Sequence, residues 1–143
     1  MSPRAVLWPV VALAALTFCV SVVMFRRRVA EIRAKRIRLQ TIATSSGIAA
    51  ALENTSAADN YRNLFESPVL FYAAAVTAFV TEATGTLLVA LLWAYVALRA
   101  VHSAIQCTTN RVYRRFQAFA ASMGVLFAIW VALAWHLATA AGA

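Results

Sequence analysis

Four apolar segments separated by short polar stretches set the pattern of this chain. They cover residues 5–25, 60–81, 86–109 and 116–138. An α-helix needs roughly 20 residues to cross a bilayer, and the second segment reaches that length only if its helix includes the polar residues at its start. No segment alternates like a barrel strand. The pattern predicts an all-α membrane protein: a four-helix transmembrane bundle with up-and-down topology.

The connections between the segments are short, apart from the first. Residues 82–85 read as a tight turn, which makes the second and third spans an antiparallel pair, and residues 110–114 form the other short connection. After the first span the alternation over residues 29–39 predicts that its helix continues out of the bilayer. Residues 41–60 read as a loop with one short helix near 48–52. With 63% hydrophobic content in 143 residues and a mean hydropathy of +0.74, we expect one membrane domain over residues 1–143.

The formal charge of +8 is concentrated beside two spans. Seven of the thirteen Lys and Arg residues lie between 26 and 38, and three more lie between 111 and 115. Because basic loops stay in the cytoplasm, residues 26–59 are expected to be a cytoplasmic loop, with both termini on the outer, periplasmic side. The charge therefore indicates topology and contact with membrane lipid headgroups, and it does not indicate a nucleic-acid partner.

The first span is expected to remain in the protein as a membrane helix. Cys19 follows Phe18, which is too bulky for a cleavage site, and Arg26, Arg27 and Arg28 come after the apolar run. Cys19 and Cys107 have no metal-ligand or redox spacing, so we expect buried free thiols and no metal site. Twelve arginines against the single Lys35, with abundant alanine, favour a GC-rich bacterial genome and hence an inner membrane.

Two polar clusters lie where apolar spans should enter the bilayer. On a helix, Asn63 and Glu66 share a face with Arg62 at its edge, and Arg99, His102 and Gln106 share a face of the third span. Both clusters lie in the cytoplasmic halves of neighbouring spans, so they can meet. Ionisable groups in a span are costly and usually line an enclosed or water-filled site.

The charges of these clusters favour an anionic ligand. Arg62, Arg99, Arg111 and Arg115 face only Glu66 and Asp59, an excess of about two positive charges. Guanidinium groups hold carboxylates through paired donors. The alternative is a purely structural ion pair in which Glu66 neutralises Arg99 between helices.

These motifs resemble those of the MAPEG family, the membrane-associated proteins in eicosanoid and glutathione metabolism, and especially its short bacterial branch. The resemblance rests on Asn63-Leu-Phe-Glu66, on Arg99-Ala-Val-His102 and on Arg115 at the start of the fourth span. It extends over nearly the whole chain. It implies a homotrimer that binds glutathione between subunits on the cytoplasmic side, with a lipophilic small molecule or lipid entering from the bilayer.

The resemblance also implies roles for individual residues. Arg115 looks like the catalytic arginine that stabilises the glutathione thiolate. The residues that correspond to glutathione ligands are Arg62, Asn63, Glu66, Arg99, His102, Gln106, Arg111 and Tyr113, and either Arg33 or Arg36 corresponds to an arginine beyond span one. Prostaglandin-forming members carry a tyrosine at Gln106 and a serine at Phe116, and Tyr113 lies close enough in sequence to substitute.

The expected function is a membrane-bound glutathione-dependent transferase or peroxidase acting on lipophilic electrophiles or lipid hydroperoxides. The missing tyrosine and serine leave open a non-catalytic membrane scaffold of the same family that binds lipid or glutathione. A small four-span efflux pump is disfavoured, because such a transporter needs a titratable carboxylate in its first span and residues 5–25 contain none.

Overall fold

The computed structural model describes residues 3–140, and this part of the chain contains helices and no strand. Two short 3-10 turns, Pro3–Val6 and Leu39–Ile42, accompany six α-helices. The helices are α1 (Trp8–Lys35), α2 (Ser45–Ala51), α3 (Ser56–Asn63), α4 (Pro68–Val80), α5 (Thr86–Cys107) and α6 (Val112–Ala140). The short helix predicted near residues 48–52 is therefore present as α2.

Four helical stretches of the described chain are long and apolar enough to cross a membrane. They are Pro3–Lys35, Ser56–Val80, Thr86–Cys107 and Val112–Ala140. They match the four predicted segments, and the second includes the polar residues at its start, as its length required. The prediction of an all-helical chain with four helices able to span a membrane is confirmed for the described residues.

The first helix ends earlier than predicted. Arg36 adopts a left-handed conformation with φ of 50°, and the N–H of Ile37 donates to the carbonyl of Ile32 at 3.1 Å. This is the closing pattern of a helix C-terminus, so the helix stops at Lys35 instead of continuing to residue 39. The alternation in residues 29–39 is a pattern of neighbouring positions, so it did not predict the residue at which the helix ends.

The fourth helix begins earlier than predicted, at Val112 instead of residue 116. Residues 112–114, which were read as part of the connection, belong to its first turn, and the N–H of Arg115 donates to the carbonyl of Arg111 at 3.0 Å. Arginine side chains are long enough to reach water from a helix that leaves the bilayer, so charge alone does not end a helix. The connection from α5 to α6 shrinks to residues 108–111.

Helix α5 is the centre of the bundle. It packs against α6, α1 and α3, whereas α4 packs mainly against α6 and the first 3-10 turn. The predicted pairing of spans two and three is thus only partly correct: α3 contacts α5, and α4 touches α5 chiefly where Phe71 stacks on Tyr95 with ring centroids 4.7 Å apart. The break in the second span allows its two halves to contact different helices.

Both ends of the bundle are tied by hydrogen bonds between helices. At one end His136 donates to the carbonyl of Thr81 at 3.1 Å, beside the turn predicted at residues 82–85. At the other end Arg27 donates to the carbonyl of Cys107. Cys107 is buried as expected, whereas Cys19 lies on the exposed surface of α1, which corrects the prediction of two buried thiols.

Candidate functional site

The second span is broken at the polar cluster, and Pro68 explains why. Proline has no backbone N–H and its ring crowds the carbonyl four residues earlier, which lies in the segment between Asn63 and Pro68. After Leu64, the backbone N–H groups that form hydrogen bonds reach back only three residues, as in the Phe65 to Arg62 bond of 2.9 Å. The carbonyl of Asn63 accepts one such bond, from the N–H of Glu66 at 3.4 Å, and its second lone pair can accept from a side chain of another helix.

Arg99 donates a hydrogen bond to that carbonyl. Its side chain is 0% exposed, and its Nη2 donates to the backbone oxygen of Asn63 at 3.2 Å and to the side-chain Oδ1 of the same residue. The guanidinium carbon lies 5.8 Å from the ring centroid of Phe119, within reach of a cation–π contact. The structure thus joins the two polar clusters through one asparagine.

Glu66 does not pair directly with Arg99. Its Oε2 accepts a hydrogen bond from Nδ2 of Asn63 at 3.5 Å. Within residues 3–140 the ion pairs are Lys35 with Glu31, Lys35 with Glu53, and Arg62 with Asp59 at 3.8 Å. The structural ion pair that served as the alternative interpretation is therefore not formed. Arg99 is a buried cation with no carboxylate in direct contact among the described residues, and Asn63 contacts both Arg99 and Glu66.

His102 links the third span to the start of the fourth. It is buried, and its Nδ1 donates to the backbone carbonyl of Arg115 at 3.0 Å, while Nε2 faces the Gln106 side-chain amide at 2.8 Å. A neutral imidazole satisfies both contacts when the NH2 group of the Gln106 amide donates to Nε2. The two orientations of a side-chain amide occupy the same space, and the hydrogen bonds of His102 select this one. Gln106 therefore orients the histidine ring, and the ring fixes the first turn of α6.

Arg115 is held from a second direction. Its Nη1 donates to Oδ1 of Asn110 at 2.7 Å. This contact spans the short connection between α5 and α6, so the guanidinium and the backbone of Arg115 are both restrained by residues outside its own helix. The role of Asn110 was not predicted from the sequence.

These side chains surround one cleft of about 370 Å³. Its volume lies in the range of small-molecule sites. The lining residues combine a polar wall from α3 and α5 with a partly apolar wall from α6: Asp59, Arg62, Asn63, Glu66, His102, Gln106, Val112, Arg115, Phe116 and Phe119. Arg99 lies directly behind Asn63.

Three predicted ligand residues do not line this cleft: Arg99 lies behind Asn63, and Arg111 and Tyr113 lie outside. Tyr113 is 73% exposed and Arg111 is exposed on the connection, and neither lines the cleft. The structure does not bring Tyr113 to the place of the missing hydroxyl. Val112, Phe116 and Phe119 were not predicted as lining residues, although their helical spacing on one face of α6 was a signal that could have identified them.

The positive excess at the cleft is smaller than the sequence suggested. Arg62, Arg99 and Arg115 stand against Asp59 and Glu66, which leaves a single positive charge because Arg111 lies elsewhere. The excess of about two was therefore wrong for the cleft of one chain. Its sign is unchanged, and among the three cations only Arg62 forms an ion pair in the described chain, so the buried Arg99 has no carboxylate partner.

In the first basic stretch, residues 26–38, Arg27 contacts other helices, whereas the sequence analysis had suggested Arg33 or Arg36. Arg33 and Arg36 are exposed, whereas Arg27 is half-buried and contacts the carbonyl of Cys107 and, at 3.4 Å, Oγ of Ser56. Arg27 lines a second polar cleft of about 420 Å³, which shares Asp59 with the first. Sequence spacing could not identify Arg27, because its position depends on how α1 packs against α3 and α5.

Comparison with known proteins gives one result. The model of the MAPEG family matches residues 6–135, which covers most of the chain and includes every residue that lines the cleft. Comparison with curated proteins and with solved structures finds no match.

Proposed function

The chain belongs to the MAPEG family, and from that premise we propose that it is a membrane-bound glutathione-dependent transferase or peroxidase. Its substrates would be lipophilic electrophiles or lipid hydroperoxides. The family includes glutathione transferases and peroxidases as well as other members, so the proposal has to be supported by the cleft itself.

The observation that carries the proposal is the buried Arg99 guanidinium behind Asn63, which gives the cleft and the groups directly behind it one excess positive charge. A buried cation is costly unless it is paired. Glutathione has two carboxylates and one ammonium group, and therefore one net negative charge at neutral pH. Arg62 suits one of its carboxylates, while Glu66, oriented by Asn63, suits its ammonium group. The charge of the ligand offsets that of the cleft.

The chemistry assigned to Arg115 is stabilisation of the glutathione sulfur as a thiolate. A guanidinium beside the sulfur lowers the pKa of the glutathione thiol, because it favours the charged form, and the thiolate is the nucleophile. In the transferase reaction the thiolate forms a bond to an electrophilic carbon, and the leaving group departs with its electron pair. In the peroxidase reaction the thiolate takes one oxygen of the hydroperoxide and, with one proton, releases the alcohol and a glutathione sulfenic acid. A second glutathione converts that acid to the disulfide and water.

The α6 side of the cleft suits the lipophilic substrate. Val112, Phe116 and Phe119 present apolar side chains next to Arg115, and Phe116 is 64% exposed at the edge. An apolar molecule arriving along α6 from the bilayer would meet the sulfur at this wall. We propose that the protein acts as a homotrimer, in which a neighbouring subunit covers this exposed edge.

The orientation is part of the same proposal. The basic residues 26–38 and 111–115 lie at the end of the bundle that carries the cleft, since Arg27 contacts the carbonyl of Cys107 there. By the positive-inside rule this end faces the cytoplasm, where glutathione is available. The protein would then lie in a bacterial inner membrane with both termini in the periplasm.

The test compares Arg115→Ala with Arg114→Ala in purified protein. Arg114 is the neighbouring exposed arginine, so its removal takes away the same charge without touching the cleft. Glutathione consumption is measured with an aryl halide and with a fatty acid hydroperoxide. We expect Arg115→Ala to lose about a hundredfold in kcat, as when a transition-state donor is removed, and Arg114→Ala to stay near wild type. Equal activity in both variants would refute the role of Arg115.

One observation favours a non-catalytic alternative. The residues that line the cleft include no hydroxyl side chain. At the positions where prostaglandin-forming members carry a tyrosine and a serine, this chain has Gln106, which contacts His102, and the apolar Phe116. A protein that binds lipid or glutathione as a scaffold needs no group to hold the sulfur. Calorimetry with glutathione and with a fatty acid distinguishes the two: lipid binding without glutathione affinity selects the scaffold, and glutathione binding with turnover selects the enzyme.

A further inference from the structure

The short connection between α5 and α6 ends one helix and restrains a cleft residue of the next. The N–H of Asn110 donates to the carbonyl of Ile105 at 2.8 Å, and the N–H of Thr108 donates to the same carbonyl at 3.3 Å. Asn110 itself has φ of 46°. This is a helix end closed by a left-handed residue, a position where glycine is the usual choice and asparagine the next.

The presence of asparagine at this position calls for a side-chain reason. A glycine would adopt the left-handed conformation without steric cost, so the backbone alone does not require Asn110. Its Oδ1 accepts from Nη1 of Arg115 at 2.7 Å. The residue that closes α5 thus also fixes the direction of a guanidinium five residues later, on the next helix.

The other end of Arg115 is fixed by a different helix. Nδ1 of His102, on α5, donates to its backbone carbonyl at 3.0 Å. An unrestrained arginine side chain has many rotamers, and choosing one on ligand binding costs conformational entropy. With the backbone held by His102 and the guanidinium held by Asn110, most of that cost is met when the protein folds.

We propose that Asn110 is a positioning residue for Arg115, and that its side chain orients the guanidinium toward the sulfur of bound glutathione. This inference rests on the proposed function, because it assigns a task to Arg115 at the sulfur. Asn110 does not touch the substrate in this arrangement. It acts through Arg115 and sets how strongly the guanidinium favours the thiolate.

Two substitutions separate the side-chain role from the backbone role. Asn110→Gly keeps the left-handed backbone and removes the acceptor, whereas Asn110→Ala removes the acceptor and also strains the backbone. Thr109→Gly is the matched control: it places a glycine at the exposed neighbouring position and leaves the Asn110 acceptor in place. The full-length protein in detergent is titrated with pH in the presence of reduced glutathione, and the ultraviolet absorbance of the bound thiolate is followed. Thermal unfolding is measured in parallel.

If Asn110 positions Arg115, Asn110→Gly and Asn110→Ala raise the pH midpoint of thiolate formation by the same amount, about 0.7 unit, and lower kcat about fivefold with little change in KM. Only Asn110→Ala lowers the unfolding midpoint, and Thr109→Gly matches wild type in the pH titration. A purely structural residue would instead give a wild-type titration in Asn110→Gly and a shift confined to Asn110→Ala.

The failure of this inference is distinguishable from the failure of the proposed function. A wild-type titration in Asn110→Gly, together with a lost thiolate band in Arg115→Ala, overturns the role of Asn110 and leaves the enzyme in place. Absence of any thiolate band in the wild-type protein with reduced glutathione overturns both.

Discussion

Replacing Asn63 by aspartate should weaken the affinity of the protein for glutathione without making the protein more stable. The substitution keeps the shape of the side chain and places a carboxylate at the oxygen that accepts from Arg99. Arg99 is fully buried and has no carboxylate partner among the described residues, so a direct partner should stabilise it. The same new charge cancels the single positive excess of the cleft.

The magnitude follows from the charges. A charge added about 8 Å from a ligand carboxylate, at an effective dielectric constant of about 20, costs about 2 kcal/mol of binding energy. That corresponds to roughly a thirtyfold loss of affinity. A charged hydrogen bond in place of a neutral acceptor strengthens the Arg99 contact by about 1 kcal/mol. The second carboxylate oxygen, however, replaces the Nδ2 donor to Glu66, 3.5 Å away, and repels that carboxylate, so the unfolding midpoint should not rise.

The assay pairs calorimetric titration of glutathione with thermal unfolding of the same detergent-purified samples. The control is Gln40→Glu, which makes the same amide-to-carboxylate change on the exposed 3-10 turn away from the cleft. We expect Gln40→Glu to resemble wild type in both measurements. If Asn63→Asp binds glutathione as tightly as wild type, the reasoning from charge balance is refuted.

Two further predictions follow from other contacts. Glu66→Gln should bind glutathione about tenfold more weakly while binding an analogue without the amino group as well as wild type does, because Glu66 is assigned to the ammonium group. Calorimetry with both ligands checks this, and an equal loss for both would contradict the assignment. Arg27→Ala should destabilise the protein by about 1.5–3 kcal/mol, because a charged donor to the C-terminus of α5 is lost. Thermal unfolding beside exposed Arg26→Ala measures this, and equal midpoints would show that Arg27 contributes nothing.

The cleft could be predicted from the sequence because several of its residues recur at helical spacing. Asn63 with Glu66, and Arg99 with His102, had to share faces once their segments were helices, and the structure brings both pairs to one place. The apolar wall was not predicted, although Val112 and Phe116 have the same kind of spacing on α6. It was missed because the first turn of α6 was read as a loop.

It was harder to predict which residues contact each other across helices than which residues share one face of a helix. The sequence offered Glu66 as the counter-charge of Arg99, but the bend before Pro68 gives Arg99 a backbone and a side-chain oxygen of Asn63 instead. Arg33 and Arg36 were candidates beyond the first span, yet Arg27 makes the buried contacts. Arginine side chains are long, so several positions of one helix can satisfy the same spacing argument.

The sequence by itself determined that this is a four-span helical membrane protein with a polar face near one end of the bundle. Span length and helical spacing are local properties, and the cost of burying charge in lipid leaves few alternatives for such residues. Only the tertiary structure decided which groups hold one another: Asn63 with Arg99, His102 with the backbone of Arg115, and Asn110 with its guanidinium. Those contacts depend on where helices bend, end and cross, and such geometry is set by packing between segments that are distant in the chain.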